Sequence, residues 1–158
     1  MIKYVDTEVT FAEFPDEVSL CINISNCPNR CPKCHSQYLW EDIGNPLTTD
    51  TLSELIDSNE GITCVGLMGG DREPIEINSL AKYVKNAYSL KVGWYSGQTA
   101  IDPNIDLKYF DYIKTGPYIE AAGSLDKKTT NQRMYRVDVV NDQIFLMDIT
   151  SKFWKHGN

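Results

Sequence analysis

Five cysteines punctuate this chain: Cys21, Cys27, Cys31, Cys34 and Cys64. Three of them crowd into one short segment, Cys27-Pro28-Asn29-Arg30-Cys31-Pro32-Lys33-Cys34-His35. Three residues separate the first pair of thiols and two separate the second. At such spacings neighbouring thiolates can fold back onto one small inorganic core, and iron–sulfur clusters take Cys thiolates as ligands. Three thiolates leave one iron of a four-iron cube without a protein ligand. An open coordination position is what separates a reactive metal site from a structural one, as it does for zinc. Pro28 and Pro32 stiffen the loop and disfavour a helix through it. Two other chemistries compete. A structural zinc ion needs a fourth ligand, yet His35 is adjacent to Cys34 and His156 lies in the tail. A redox dithiol could use Cys31-Pro32-Lys33-Cys34, but that leaves Cys27 unexplained.

The elements around this loop are expected from periodicity. Val18 to Ser25 is rich in apolar and β-branched residues and reads as a strand entering the loop. Thr51 to Ser58 reads as a short helix capped by Thr49 or Asp50, and Gly61 ends it. Ile62 to Met68 is a second buried strand, stopped by Gly69-Gly70. Asn78 to Ala87 carries Leu80, Tyr83 and Val84 at helical spacing behind an Asn78 cap. Leu90 to Tyr95 and Tyr112-Ile113-Lys114 are two further strands, and Pro117 to Arg133 is a long loop. Tyr135 to Val140, Asn141-Asp142 and Gln143 to Thr150 form a terminal hairpin. Cys21 and Cys64 sit in apolar strands and read as small core residues.

Strands alternating with helices predict an α/β fold with parallel strands and crossover helices. A complete eight-unit barrel needs roughly 200 residues or more, so the expectation is an open, incomplete (β/α) barrel of mostly parallel strands with a C-terminal β-hairpin. Ligands of parallel sheets sit beyond the carboxyl ends of the strands. Three unusual segments fall there: the cysteine loop, Gly69-Gly70-Asp71, and Ser96-Gly97-Gln98. Glycines lack Cβ, so a ligand's polar head can approach their backbone.

The chain has 158 residues with no repeat or Ser/Gly-rich linker, and residues 1–158 read as a single domain. Fifteen Lys and Arg against 22 Asp and Glu give a net charge of −7, against a nucleic-acid partner. No apolar run approaches the ~20 residues that span a bilayer. The first eight residues do not read as a secretory signal, which predicts a cytoplasmic protein with no membrane partner.

The CxxxCxxC loop after a first strand resembles the radical S-adenosylmethionine (SAM) superfamily. Gly69-Gly70-Asp71 resembles that superfamily's glycine motif after the second strand. Trp40, Gly116-Pro117-Tyr118-Ile119 and Asn131-Gln132-Arg133 resemble one short subfamily, the activating proteins of anaerobic ribonucleoside-triphosphate reductases. The resemblance covers about Val18 to Arg133. Lys33 stands where the subfamily often has Gly, Ser36 where it often has Asn, and Arg72-Glu73-Pro74 delays the usual proline. What it implies is a [4Fe–4S] cluster on Cys27, Cys31 and Cys34, with SAM chelating the open iron through its amino and carboxylate groups. It further implies SAM contacts from Lys33 and His35 beside the adenine, from Gly69, Gly70 and Asp71 or Glu73 at the amino group, and from Ser96. No side-chain general base is required, so no catalytic residue is expected beyond cluster and SAM. The implied activity is reductive SAM cleavage to a 5′-deoxyadenosyl radical that makes a glycyl radical on the large subunit of the reductase. A flavodoxin-like protein would donate the electron. Asn131, Gln132 and Arg133, ending the long loop, are expected to recognise that partner, or else to brace the hairpin. Two alternatives stand beside this reading. One is activation of another glycyl-radical enzyme or modification of a peptide; the other is a zinc-stabilised binding module without catalysis.

Overall fold

The computed structural model describes residues 1–32, 34 and 36–154. Eight strands form one sheet: β1 (Lys3–Thr10), β2 (Ser19–Ile24), β3 (Asn45–Pro46), β4 (Cys64–Met68), β5 (Lys91–Tyr95), β6 (Tyr112–Thr115), β7 (Arg133–Val140) and β8 (Gln143–Asp148). Two helices accompany them, α1 (Thr49–Asp57) and α2 (Pro74–Ala87). The spatial order is β3-β1-β2-β4-β5-β6-β7-β8.

The mostly parallel barrel is not what the chain builds. Only β2, β4, β5 and β6 pair in parallel. β1 runs antiparallel to β2 and β3, and β7 antiparallel to β6 and β8, so antiparallel ladders are in the majority and the sheet stays open. The physical reason is the connections. Parallel neighbours need crossovers, and the chain has them only between β2 and β6: α1, α2 and the segment 96–111 with its single 3-10 turn. The segments before β2 and after β7 return directly and must lie antiparallel. The terminal hairpin is present as expected, closed by Asn141 and Asp142 at φ 51° and 63°, the backbone a two-residue turn demands.

Both helices start earlier than their periodicity suggests. Thr48 caps α1, its hydroxyl accepting from Thr51 N at 3.1 Å, while Leu52 and Ile56, four residues apart, are buried. α2 begins at Pro74, whose missing N–H costs nothing at a first helical position. Asn78 therefore lies inside the helix, where its Oδ1 accepts from Asp106 N at 2.7 Å.

The sheet separates two apolar clusters. One holds Ile22, Leu67, Trp94 and Ile113 under the helices, with Leu52, Ile77 and Val84. The other, on the opposite face, holds Phe14, Cys21, Cys64, Tyr112 and Met134. Register places Cys21, Gly66, Gly93 and Tyr112 in one row across β2, β4, β5 and β6. Phe14 lies flat on that row: a Cβ on Gly93 would come within 2.3 Å of its ring. The helix-free face is thus sealed at one end and open at the other, where the parallel strands finish.

Candidate functional site

A cavity of about 710 Å³ opens at those strand ends. Cys27, Cys31 and Cys34 line it together with Gly69, Asp71, Ser96, Gly97 and Lys114. The cysteine loop, the Gly69-Gly70-Asp71 turn and the Ser96-Gly97-Gln98 turn therefore converge, as strand-end placement requires.

The loop is held by backbone. Cys27 N donates to Leu39 O at 2.9 Å, and Cys34 N to Cys31 O at 3.0 Å. Asn26 and Arg30 have φ of 60° and 42°, so the chain reverses sharply around the first two thiols. Arg72 Nε donates to Asn26 O at 3.1 Å, tying this loop to the glycine turn.

Asp71 is the hub. Its Oδ1 accepts from Ser96 Oγ at 2.5 Å. Its Oδ2 accepts from Asn29 Nδ2 and from Gly97 N, both at 2.7 Å. Gln98 extends the network: its Nε2 donates to Asn29 Oδ1, and its backbone N to Ser96 Oγ at 3.1 Å. One carboxylate thus joins the cysteine loop to the ends of β4 and β5. Glu73 does not line the cavity; its Oε1 accepts from the N-terminal amine at 2.9 Å.

The two glycines divide. Gly69 borders the cavity at φ 117°. Gly70, at φ 91°, turns toward the core, where a Cβ would meet Ile77 Cδ1 at 2.4 Å. Its lack of a side chain serves packing of α2 on the sheet. Ser96 is 1% exposed and spends its hydroxyl on Asp71 and Gln98. Lys33 and His35 lie outside the described residues.

Lys114 brings a buried cation to the site. It is 8% exposed, and its ammonium donates to Gly116 O at 2.9 Å and Ser96 O at 3.2 Å, above the Tyr95 ring. Burial pushes its pKa down to about 8, against the opposing pull of Asp71 and the three loop thiols. Cys21 and Cys64 are different: burial pushes both thiols up to about 12. They are apolar fillers of the helix-free face and do not border the cavity.

Asn131 and Gln132 brace the turn after β6. Asn131 Nδ2 donates to Pro117 O at 3.0 Å and Gln132 Nε2 to Gly116 O at 3.4 Å. The two sequence motifs, distant in the chain, are one structural unit beside the cavity, which Tyr118 and Gln132 both line. Arg133 points to the hairpin, pairing with Asp148 at 3.5 Å. Trp94 and Tyr95 go to opposite faces, Trp94 into the helix-side core and Tyr95 to the cavity.

Asn29, Lys114 and Tyr118 were not among the expected site residues. For Lys114 a signal existed: a charged residue inside an otherwise apolar strand, just before Gly116-Pro117. Asn29 has no such signal, because its partners Asp71 and Gln98 are remote in sequence.

Among the described residues, no three His, Cys, Asp or Glu converge tightly enough to enclose a single metal ion. Cys27, Cys31 and Cys34 line one cavity, and Cys thiolates are the donor set of iron–sulfur clusters. The model of a family described as "4Fe-4S single cluster domain" matches residues 18–137, and the chain belongs to that family. It is an iron–sulfur protein. No curated protein and no solved structure matches it. No helix among the described residues is long and apolar enough to cross a membrane.

Proposed function

We infer that this member of the 4Fe-4S single cluster domain family is a radical SAM activase. Cys27, Cys31 and Cys34 would hold the cluster and leave one iron open. The observation that carries this reading is the shared cavity: three thiols at CxxxCxxC spacing face Gly69, Asp71, Ser96 and Gly97 at the ends of parallel strands. When bound, the cluster supplies one electron for reductive cleavage of SAM, and the end product is a glycine of a partner protein stripped of one Cα hydrogen.

The chain's own residues orient and enclose. Asp71 fixes the spacing between the cysteine loop and the β5 turn through Asn29, Ser96 and Gly97. With three donors already on its carboxylate, Asp71 acts as a clasp. Gly69 borders the cavity with its own N–H given to Tyr95 O at 3.1 Å and its carbonyl accepting from Trp94 Nε1 at 2.7 Å, so it contributes a fixed, side-chain-free wall. Lys114 supplies buried positive charge opposite the thiolates. Phe153 and Leu125 give part of the cavity an apolar lining. The open sheet leaves the mouth accessible to a protein loop. By resemblance the target is the large subunit of an anaerobic ribonucleoside-triphosphate reductase, with a flavodoxin-like electron donor.

The test is anaerobic reconstitution followed by iron and sulfide analysis, SAM cleavage with dithionite, and electron paramagnetic resonance after adding a co-encoded reductase. A doublet from a glycyl radical is expected. Iron–sulfur protein that never cleaves SAM would refute the activase reading, and colourless protein with one zinc would refute the cluster.

A further inference from the structure

The two ends of the sheet are built differently. At one end β3 has only two residues, and one is Pro46, which cannot donate to a further strand. At the other end β8 spans six residues without Pro, Gly or Lys, and all six are exposed. Ile144, Phe145, Leu146 and Met147 form an uncharged run with apolar side chains on both faces. Val139 and Val140 on β7 extend the patch. A long, apolar, unprotected edge is a template for strand addition.

The edge is complementary to itself. Ile149 N donates to Met134 O at 2.9 Å, so odd-numbered residues of this strand direct their backbone polar groups toward β7. Ile144, Leu146 and Asp148 direct theirs outward. An antiparallel copy centred on Leu146 pairs Leu146 with Leu146 and Ile144 with Asp148, satisfying every outward group. The same register sets Phe145 beside Met147 of the other copy, twice, a favourable thioether–aromatic contact. Asp148 stays at the rim, where Arg133 already neutralises it at 3.5 Å. The register centred on Phe145 is worse, since it sets Asp142 against Asp148, two like charges.

We propose that β8 is the homodimer interface of this protein, joining two sheets edge to edge about a two-fold axis through Leu146. No residue of β8 lines the cavity, so the interface uses none of the cavity's lining residues.

Sedimentation velocity over a dilution series tests it with the full chain. The wild type should sediment at twice the 17.9 kDa chain mass at high concentration and dissociate on dilution. Leu146→Lys and, separately, Met147→Lys should be monomeric at all concentrations while keeping the wild-type far-ultraviolet circular dichroism. If one of them misfolds, the other decides. Leu146→Cys should give a covalent dimer under mild oxidation, because directly opposed hydrogen-bonded residues sit about 5.5 Å apart at Cα, within disulfide reach. Three results would each overturn the proposal: a wild type that is monomeric throughout, a dimer indifferent to both lysines, or Leu146→Cys that cross-links no more than the wild type. None depends on the cluster or on SAM.

Discussion

Lys114 offers the sharpest quantitative prediction. It is almost wholly buried, and its pKa falls from the ordinary 10.5 to about 8. At 1.36 kcal/mol per pKa unit, this environment disfavours the ammonium by about 3 kcal/mol relative to the unfolded chain. Below about pH 8 the lysine is charged in both states, and the full cost falls on the fold. Between about 8 and 10.5 the folded lysine is neutral while the unfolded one is still charged, so the unfolded state binds more protons and stability rises with pH. Above 10.5 both are neutral and the cost is gone.

Lys114→Met removes that dependence. It also strips a donor from Ser96 O and Gly116 O, a loss that does not vary with pH. The slope is therefore the readout. Urea unfolding of chelator-stripped, reduced protein should show the wild-type-minus-variant stability rising by about 3 kcal/mol from pH 7.5 to 10.5. Cys21, Cys64 and Tyr112, whose raised pKa values destabilise the fold at alkaline pH, cancel in the difference. In cluster-loaded protein the slope should flatten, because thiolate charge at the cavity favours the ammonium. A flat difference in the stripped protein would refute the buried-cation account.

Cys27→Ala, Cys31→Ala and Cys34→Ala should each lose iron on reconstitution, whereas Cys21→Ala and Cys64→Ala should keep it; full iron in Cys31→Ala would sink the ligand assignment. Gly70→Val sets a Cβ 2.4 Å from Ile77 Cδ1 at φ 91°, so thermal denaturation should show a loss of about 3 kcal/mol whether or not SAM is present. A purely SAM-dependent effect would return Gly70 to the ligand site. Arg133→Ala removes an ion pair that is largely solvated, worth at most ~1 kcal/mol. Melting temperature and uncoupled SAM cleavage should hold while glycyl-radical yield falls, and a joint decline of all three would make the residue scaffold.

The central strands were legible because their local chemistry is consistent: apolar β-branched runs stopped by Gly69-Gly70, Ser96-Gly97 and Gly116-Pro117, with helical spacing between. Strand ends then implied where the cysteine loop and the two turns would meet, and the cavity joins them. β1 was not legible. Its eight residues, Lys-Tyr-Val-Asp-Thr-Glu-Val-Thr, are mostly partly exposed, so the apolar signal is diluted. Without β1, and with β7 read only as part of a hairpin, the parallel core looked like most of the sheet.

Gly70 and Asp71 show why motif reading stops at the backbone. Adjacent in the chain, they face opposite ways: one makes room for Ile77 in the core, the other ties Asn29, Ser96 and Gly97 at the cavity. Short motifs fix which residues turn, but side-chain direction depends on what packs from elsewhere. α2 starts at Pro74 immediately after the turn, so its first buried residue, Ile77, must land on the glycine that precedes it by seven positions. Asp71, on the other side of that turn, is left beside the loop and β5, where two hydrogen-bonding side chains and one amide already point. The same turn thus serves stability through one residue and site geometry through the next, and substitutions at the two should separate: Gly70 variants should lower the melting temperature, whereas Asp71→Asn should loosen the cysteine loop and lower cluster retention at unchanged fold.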